Sequence, residues 1–142
     1  MDVNVNWLAV VLATASSMVV GTVWYARSVF GNRWMKLAKV DPKRMAGEGA
    51  GKAIGVTIVV SFLTAFVLAH VSFLSHEHFN NNFLQDALTT AFWVWLGFTA
   101  ARFITHDAFE GRPAALTIMN IAHEFVTLMV MALILGLLPP AL

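Results

Sequence analysis

The chain has 142 residues, of which 58% are hydrophobic and 12% charged, and its formal net charge is +1. A soluble domain carries about 25% charged residues, so an ordinary soluble fold is excluded, and a near-neutral chain offers no basic surface for a nucleic acid. Cysteine is absent, which also removes disulfides, thiolate metal sites and cysteine nucleophiles.

Four apolar stretches run from Trp7 to Phe30, Ala53 to Leu74, Phe83 to Ile104 and Pro113 to Leu138. Each is near the ~20 residues that cross ~30 Å of hydrocarbon. They predict an all-α four-transmembrane-helix bundle, a single integral membrane domain over residues 1–142. The first stretch reads as a mature helix. Ala13-Thr14-Ala15 has the small residues of a cleavage site, but no Lys or Arg precedes Arg27, as a secretory leader requires.

Of the nine basic residues, Arg27, Arg33, Lys36, Lys39, Lys43, Arg44 and Lys52 flank the first connection, and Arg102 and Arg112 flank the third. The positive-inside rule then puts the basic first loop and the third connection in the cytoplasm and both termini outside. The lipid bilayer is the principal partner, with anionic headgroups against the basic loop.

Along the chain, Asn4 or Asn6 can cap the first helix, and Trp7 sits where an interfacial aromatic belongs. Ala9, Ala13, Ser17 and Gly21 recur every fourth residue, the small-xxx-small spacing that lets two helix backbones approach. Trp24, Tyr25 and Phe30 mark the inner boundary. Gly31 and Asn32 break the helix, and Trp34 to Ala38 reads as a short amphipathic turn along the interface with its basic residues snorkelling. Asp41-Pro42 opens the next segment. Gly47, Gly51 and Gly55 form a GxxxGxxxG run into the second helix; it lacks the Lys and Ser/Thr of a phosphate loop and reads as close helix packing.

Thr57, Ser61 and Thr64 give the second helix a weak polar face, with His70 further along. The second connection, Ser75 to Asp86, holds His76 and His78, a weak metal candidate with no third ligand at a defined position. Solvated loop is the expectation there, and no metal or cofactor is assigned. The third helix carries Trp93, Trp95 and Gly97, the last another small packing position, before Arg102. Arg102 either snorkels or pairs with Asp107 or Glu110. Pro113 suits the first position of the fourth helix, and Pro139-Pro140 stops it.

The fourth helix holds the one polar stripe in an otherwise apolar span. Thr117, Asn120, Glu124 and Thr127 fall within an arc of about 80°, with His123 at its edge. Glu124 lies about 16 Å from the inner boundary. An ionised carboxylate there costs about 3 kcal/mol or more unless it faces protein or water. Ser17, Ser61, Thr64 and Trp93 stand at comparable depth as partners. Two readings stay open. Glu124 is protonated interhelical glue, or it titrates with His123 as relay and couples a small ion or solute to protonation. Haem ligation by His70 and His123 is disfavoured because their depths differ by about 10 Å. No HExxH, GxSxG, phosphate-loop or paired-carboxylate motif occurs, so no enzyme is expected.

Several short motifs carry a resemblance over nearly the whole chain. Gly21-Thr22-Val23-Trp24-Tyr25, Phe30-Gly31-Asn32-Arg33-Trp34-Met35, Trp95-Leu96-Gly97-Phe98, Phe109-Glu110-Gly111-Arg112-Pro113 and Asn120 resemble the small bacterial membrane proteins called domain of unknown function 1761. The resemblance implies a four-helix membrane fold in the bacterial inner membrane and supplies no activity. It marks Asn120 as shared. Family members often read Asn, small, Gly, Tyr, His after the turn, whereas Asn120 is followed here by Ile121-Ala122-His123-Glu124. The expected function is that of a small non-enzymatic membrane protein acting by packing, with itself as a homo-oligomer or as accessory to a larger membrane complex. The alternative is a homo-oligomeric proton-linked carrier or channel that uses Glu124 and His123.

Overall fold

The Asn6 side chain accepts a hydrogen bond from the Ala9 amide at 3.2 Å, which starts α1 (Trp7–Trp24). The same side chain donates to the Leu138 carbonyl at 3.2 Å, and Asn4 donates to the Ala141 carbonyl at 3.2 Å. Both ends of the chain are thereby tied together at one end of the bundle. The structure, a computed structural model, describes residues 3–41, 43 and 48–141. Pro42, Arg44 and Gly47, named above, lie outside the described residues.

The first helix stops at Trp24, earlier than Phe30, because Ala26 swings to extended backbone (φ −58, ψ 140). The chain then re-enters through a π turn, Arg27–Gly31, and continues as the short α2 (Asn32–Ala38). Gly31 is required there. Its amide donates to the Ala26 carbonyl at 3.0 Å, and a Cβ would collide with the Tyr25 carbonyl.

After α2 comes α3 (Glu48–Phe79), 32 residues long, which takes in the first half of the expected second connection. Asn82 then caps α4 (Phe83–Val94) by accepting from the Leu84 amide at 2.9 Å. α4 runs on through a π segment, Trp95–Ala100, into α5 (Ala101–Phe109). Gly111 turns the chain at φ 66, and α6 (Ala114–Leu137) returns to the end that holds the termini.

α6 packs on both α1 and α4, and α3 packs on α4 and α1. The seams are built from small residues: Ala9 and Ala13 of α1, Ala65 of α3, Ala87 and Ala91 of α4 and Ala132 of α6, with Leu128, Met131 and Leu135 filling between them. Ala9, Ala13 and Ser17 are buried and Gly21 lies against His123, so the small stripe of α1 is spent on the α1–α6 seam within one chain. A close approach between helices lies at Gly136, where a Cβ would come within 2.8 Å of the Leu84 Cα.

The other expected packing glycines do not pack. Gly51, Gly55 and Gly97 have no heavy atom within 4 Å of a Cβ position. Before Ser61 α3 stands away from the bundle, and residues 51–60 are all exposed. Gly97 sits inside the π segment and faces outward.

All four long helical paths are long and apolar enough to cross a membrane. Much of the surface is large and hydrophobic, with Val59, Leu63, Phe98 and Ile118 among the exposed residues, as for a protein whose solvent is lipid. The described basic residues gather at the end opposite the termini, around the α1–α3 and α5–α6 connections. Among the described residues there is no strand.

Candidate functional site

The polar stripe of α6 does not line a single surface; its side chains face different parts of the structure. At the basic end Thr117 is buried and donates to Asp107 Oδ2 at 2.7 Å. Arg112 reaches the same carboxylate at 3.6 Å and Glu110 at 2.6 Å. This network closes the α5–α6 turn. It is Arg112, not Arg102, that takes both acids, because the turn at Gly111 brings it back over the last turn of α5.

One turn further along α6, Asn120 Oδ1 accepts from Trp34 Nε1 at 3.2 Å. The short helix α2 is thereby docked on α6. Both residues belong to motifs visible in the sequence, the Phe30-to-Trp34 stretch and the lone Asn120, but only the fold shows that they bond to each other. The tryptophan that links the third span to the fourth is Trp95, whose Nε1 donates to the Ile121 carbonyl at 2.8 Å. Trp93, the expected partner, is 61% exposed. Residues two apart on a helix point about 200° apart, so only one of the two can face the bundle, and their residue type does not say which.

His123 and Glu124, about 100° apart on the helix, part ways. His123 turns to α1. Its ring lies 5.8 Å from that of Trp24 and 5.0 Å from that of Tyr25, while Phe30 packs tilted against Trp24 at 4.7 Å and Trp34 meets Tyr25 edge-on at 5.2 Å. The family-like motifs of the first segment thus form an aromatic nest around this one imidazole. Its Nδ1 stands 3.3 Å from Glu124 Oε1, and its buried Nε2 has no partner. Trp24 Nε1 and Thr127 Oγ1 are likewise buried without partners.

Glu124 points the other way, with 37% of its side chain exposed against 14% for His123. It lines a cavity of about 540 Å³ between the outlying half of α3 and the α5–α6 pair. Arg102, His106, Asp107, Glu110 and Arg112 share that cavity, walled by Val60, Phe98 and Phe103. The expected hydroxyl partners are engaged elsewhere: Ser17 donates to the Thr14 carbonyl at 2.7 Å and Thr64 to the Val60 carbonyl at 2.9 Å. Ser61 is buried on α3. Among the described residues none of these hydroxyls reaches the Glu124 carboxylate. The arrangement sets a cavity-facing carboxylate beside an imidazole enclosed by aromatic rings.

The histidines of the second connection do not converge. α3 continues through Phe79, so His76 and His78 lie on opposite sides of a helix, about 200° apart. His76 Nδ1 is 3.1 Å from Asp86 Oδ2, and His78 is exposed with its ring against Phe79. Among the described residues no group of three or more metal-ligating side chains occurs. His70 Nδ1 bonds within its own helix, 2.8 Å from the Phe66 carbonyl.

Comparison with curated proteins and with solved structures gives no match. The family described as protein of unknown function (DUF1761) matches residues 8–136, which take in the aromatic nest, the α2 docking pair and the α5–α6 turn, and the chain belongs to that family.

Proposed function

We propose that this is a non-enzymatic integral membrane protein that self-assembles and acts by packing, with both termini outside and its basic connections in the cytoplasm. The orientation rests on the basic residues sharing one end of the bundle. The observation that carries the reading is the outlying half of α3. Gly51 and Gly55 present open space on a stretch where residues 51–60 are all exposed, so a second helix can approach the backbone there without displacing anything.

The chain has no cysteine, so a single introduced thiol reports cleanly. Gly55→Cys is expected to give a disulfide-linked dimer on mild oxidation in native membranes, while Ile118→Cys, on the exposed face of α6, gives none. A monomeric mass in mild detergent together with no Gly55→Cys cross-link would end this reading.

A second reading, a proton-linked carrier or channel, is favoured by Glu124 facing the cavity instead of a dry core. Four helices rarely enclose a water path alone, so it too works through an oligomer. In proteoliposomes a pH-dependent flux is expected that Glu124→Gln abolishes; flux that survives the substitution excludes Glu124 as the coupling group.

A further inference from the structure

The charged cavity is continued by a second one. An apolar groove of about 290 Å³ runs up α3 between Val60 and Val71, with Val94 and Leu128 on its far wall. Val60 lines both. A charged chamber joined end to end with an apolar groove has the shape of an amphiphile. From Val60 to Val71 the groove is about 16 Å long, about half of a ~30 Å hydrocarbon core and so the reach of an acyl chain in one leaflet.

The charges select the head. Of the two cations in the chamber, Arg112 is engaged by Glu110 and Asp107. Arg102 forms no ion pair among the described residues, although it lines the chamber. Of the three carboxylates, Asp107 and Glu110 are used by Arg112 and Thr117, which leaves Glu124 with only His123 beside it. His106 completes the titratable lining. One unengaged cation and one accessible carboxylate on the same wall complement a head that carries both a phosphate and an amine. A purely anionic head would meet Glu124 without a counter-charge.

We propose that the chamber and groove together bind one phospholipid with a zwitterionic phosphoethanolamine head, phosphate on Arg102, ammonium toward Glu124, and one acyl chain along α3. The outlying half of α3 leaves the chamber open on its lipid side, and Phe98 at its edge is 78% exposed, so the lipid enters sideways from the bilayer. Arg102 is seven residues before the end of α5, which holds the head about 10 Å below the neighbouring headgroups. Only a head neutralised on both charges is stable at that depth. The proposal does not depend on self-assembly through Gly51 and Gly55.

The test is native mass spectrometry of the full chain reconstituted with dioleoyl phosphatidylethanolamine or dioleoyl phosphatidylglycerol. One phosphatidylethanolamine per chain is expected to be retained, about tenfold in preference to phosphatidylglycerol, as for one charge-assisted contact. Arg102→Gln is expected to cut retention about tenfold and Glu124→Gln to erase the preference between the two lipids. Val60→Trp, at an exposed position where folding tolerates bulk, blocks the junction and reduces retention of either lipid. Absence of a retained lipid, equal retention of both by the unaltered chain, or retention that neither Arg102→Gln nor Val60→Trp changes overturns the proposal.

Discussion

Replacing Gly136 by alanine is expected to lower the unfolding free energy by about 1–3 kcal/mol, as overpacking of a filled seam does. A Cβ there would stand 2.6 Å from Leu84 Cδ1 and 2.8 Å from Leu84 Cα. The Leu84 tip can rotate away, but its Cα cannot, since Asn82 caps the helix two residues earlier through the Leu84 amide itself. The strain therefore falls on the α4–α6 seam as a whole, which is where α4 meets the centre of the bundle. Gly55→Ala makes the internal control. Nothing lies within 4 Å of its Cβ position, and alanine in an exposed helix gains about 0.5–1 kcal/mol over glycine, so the isolated monomer is expected to be unharmed. Titration from mild detergent into dodecyl sulfate, followed by helical circular dichroism, measures both. If Gly136→Ala unfolds no earlier than the parent, the α4–α6 approach described here is wrong.

Asp86→Ala is expected to cost about 3 kcal/mol, because two hydrogen bonds to one buried carboxylate are lost together. Asp86 is 3% exposed in the first turn of α4 and accepts from Asn81 Nδ2 at 2.9 Å, with His76 Nδ1 at 3.1 Å on its other oxygen. It therefore ties the last turns of α3 to the start of α4 across the connection. The carboxylate also sits at a helix N-terminus, where negative charge is favoured. Asp86→Asn retains the shape but presents an amide N–H to a donor on one side, so about half the loss is expected. Thermal unfolding in detergent gives the magnitude, and limited proteolysis between His76 and Asp86 gives the location. Cleavage that stays as slow as in the parent, together with an unchanged midpoint, counts against this role for Asp86.

The same two residues show which features are legible from sequence and which are not. Gly136 follows Ala132 at small-xxx-small spacing, as Gly55 follows Gly51, and the spacing alone does not rank the two pairs. The pattern reports only that a backbone can be approached, not that a neighbour is there. The second connection invites a metal reading because His76 and His78 are close in sequence, but helix α3 runs five residues past Leu74 and turns them apart.

Four apolar helical paths, their order along the chain and the gathering of the described basic residues around the α1–α3 and α5–α6 connections follow from hydropathy and charge along the chain. Those properties are summed over some twenty residues per span, and no tertiary contact is needed to reverse or confirm them. The motifs around Trp24, Trp34 and Asn120 were likewise visible as residues that a plain apolar helix does not require. What only the tertiary structure decided is direction. Whether Trp93 or Trp95 bonds across, and whether Glu124 meets a hydroxyl core or a cavity, depend on helix rotation. So does the division of His123 and Glu124 between an aromatic nest and a charged chamber. A rotation of a few tens of degrees is set by packing and by the two π turns, each of which carries an extra residue and shifts the faces beyond it. In a helix that is apolar nearly all round, the hydrophobic pattern leaves that rotation open.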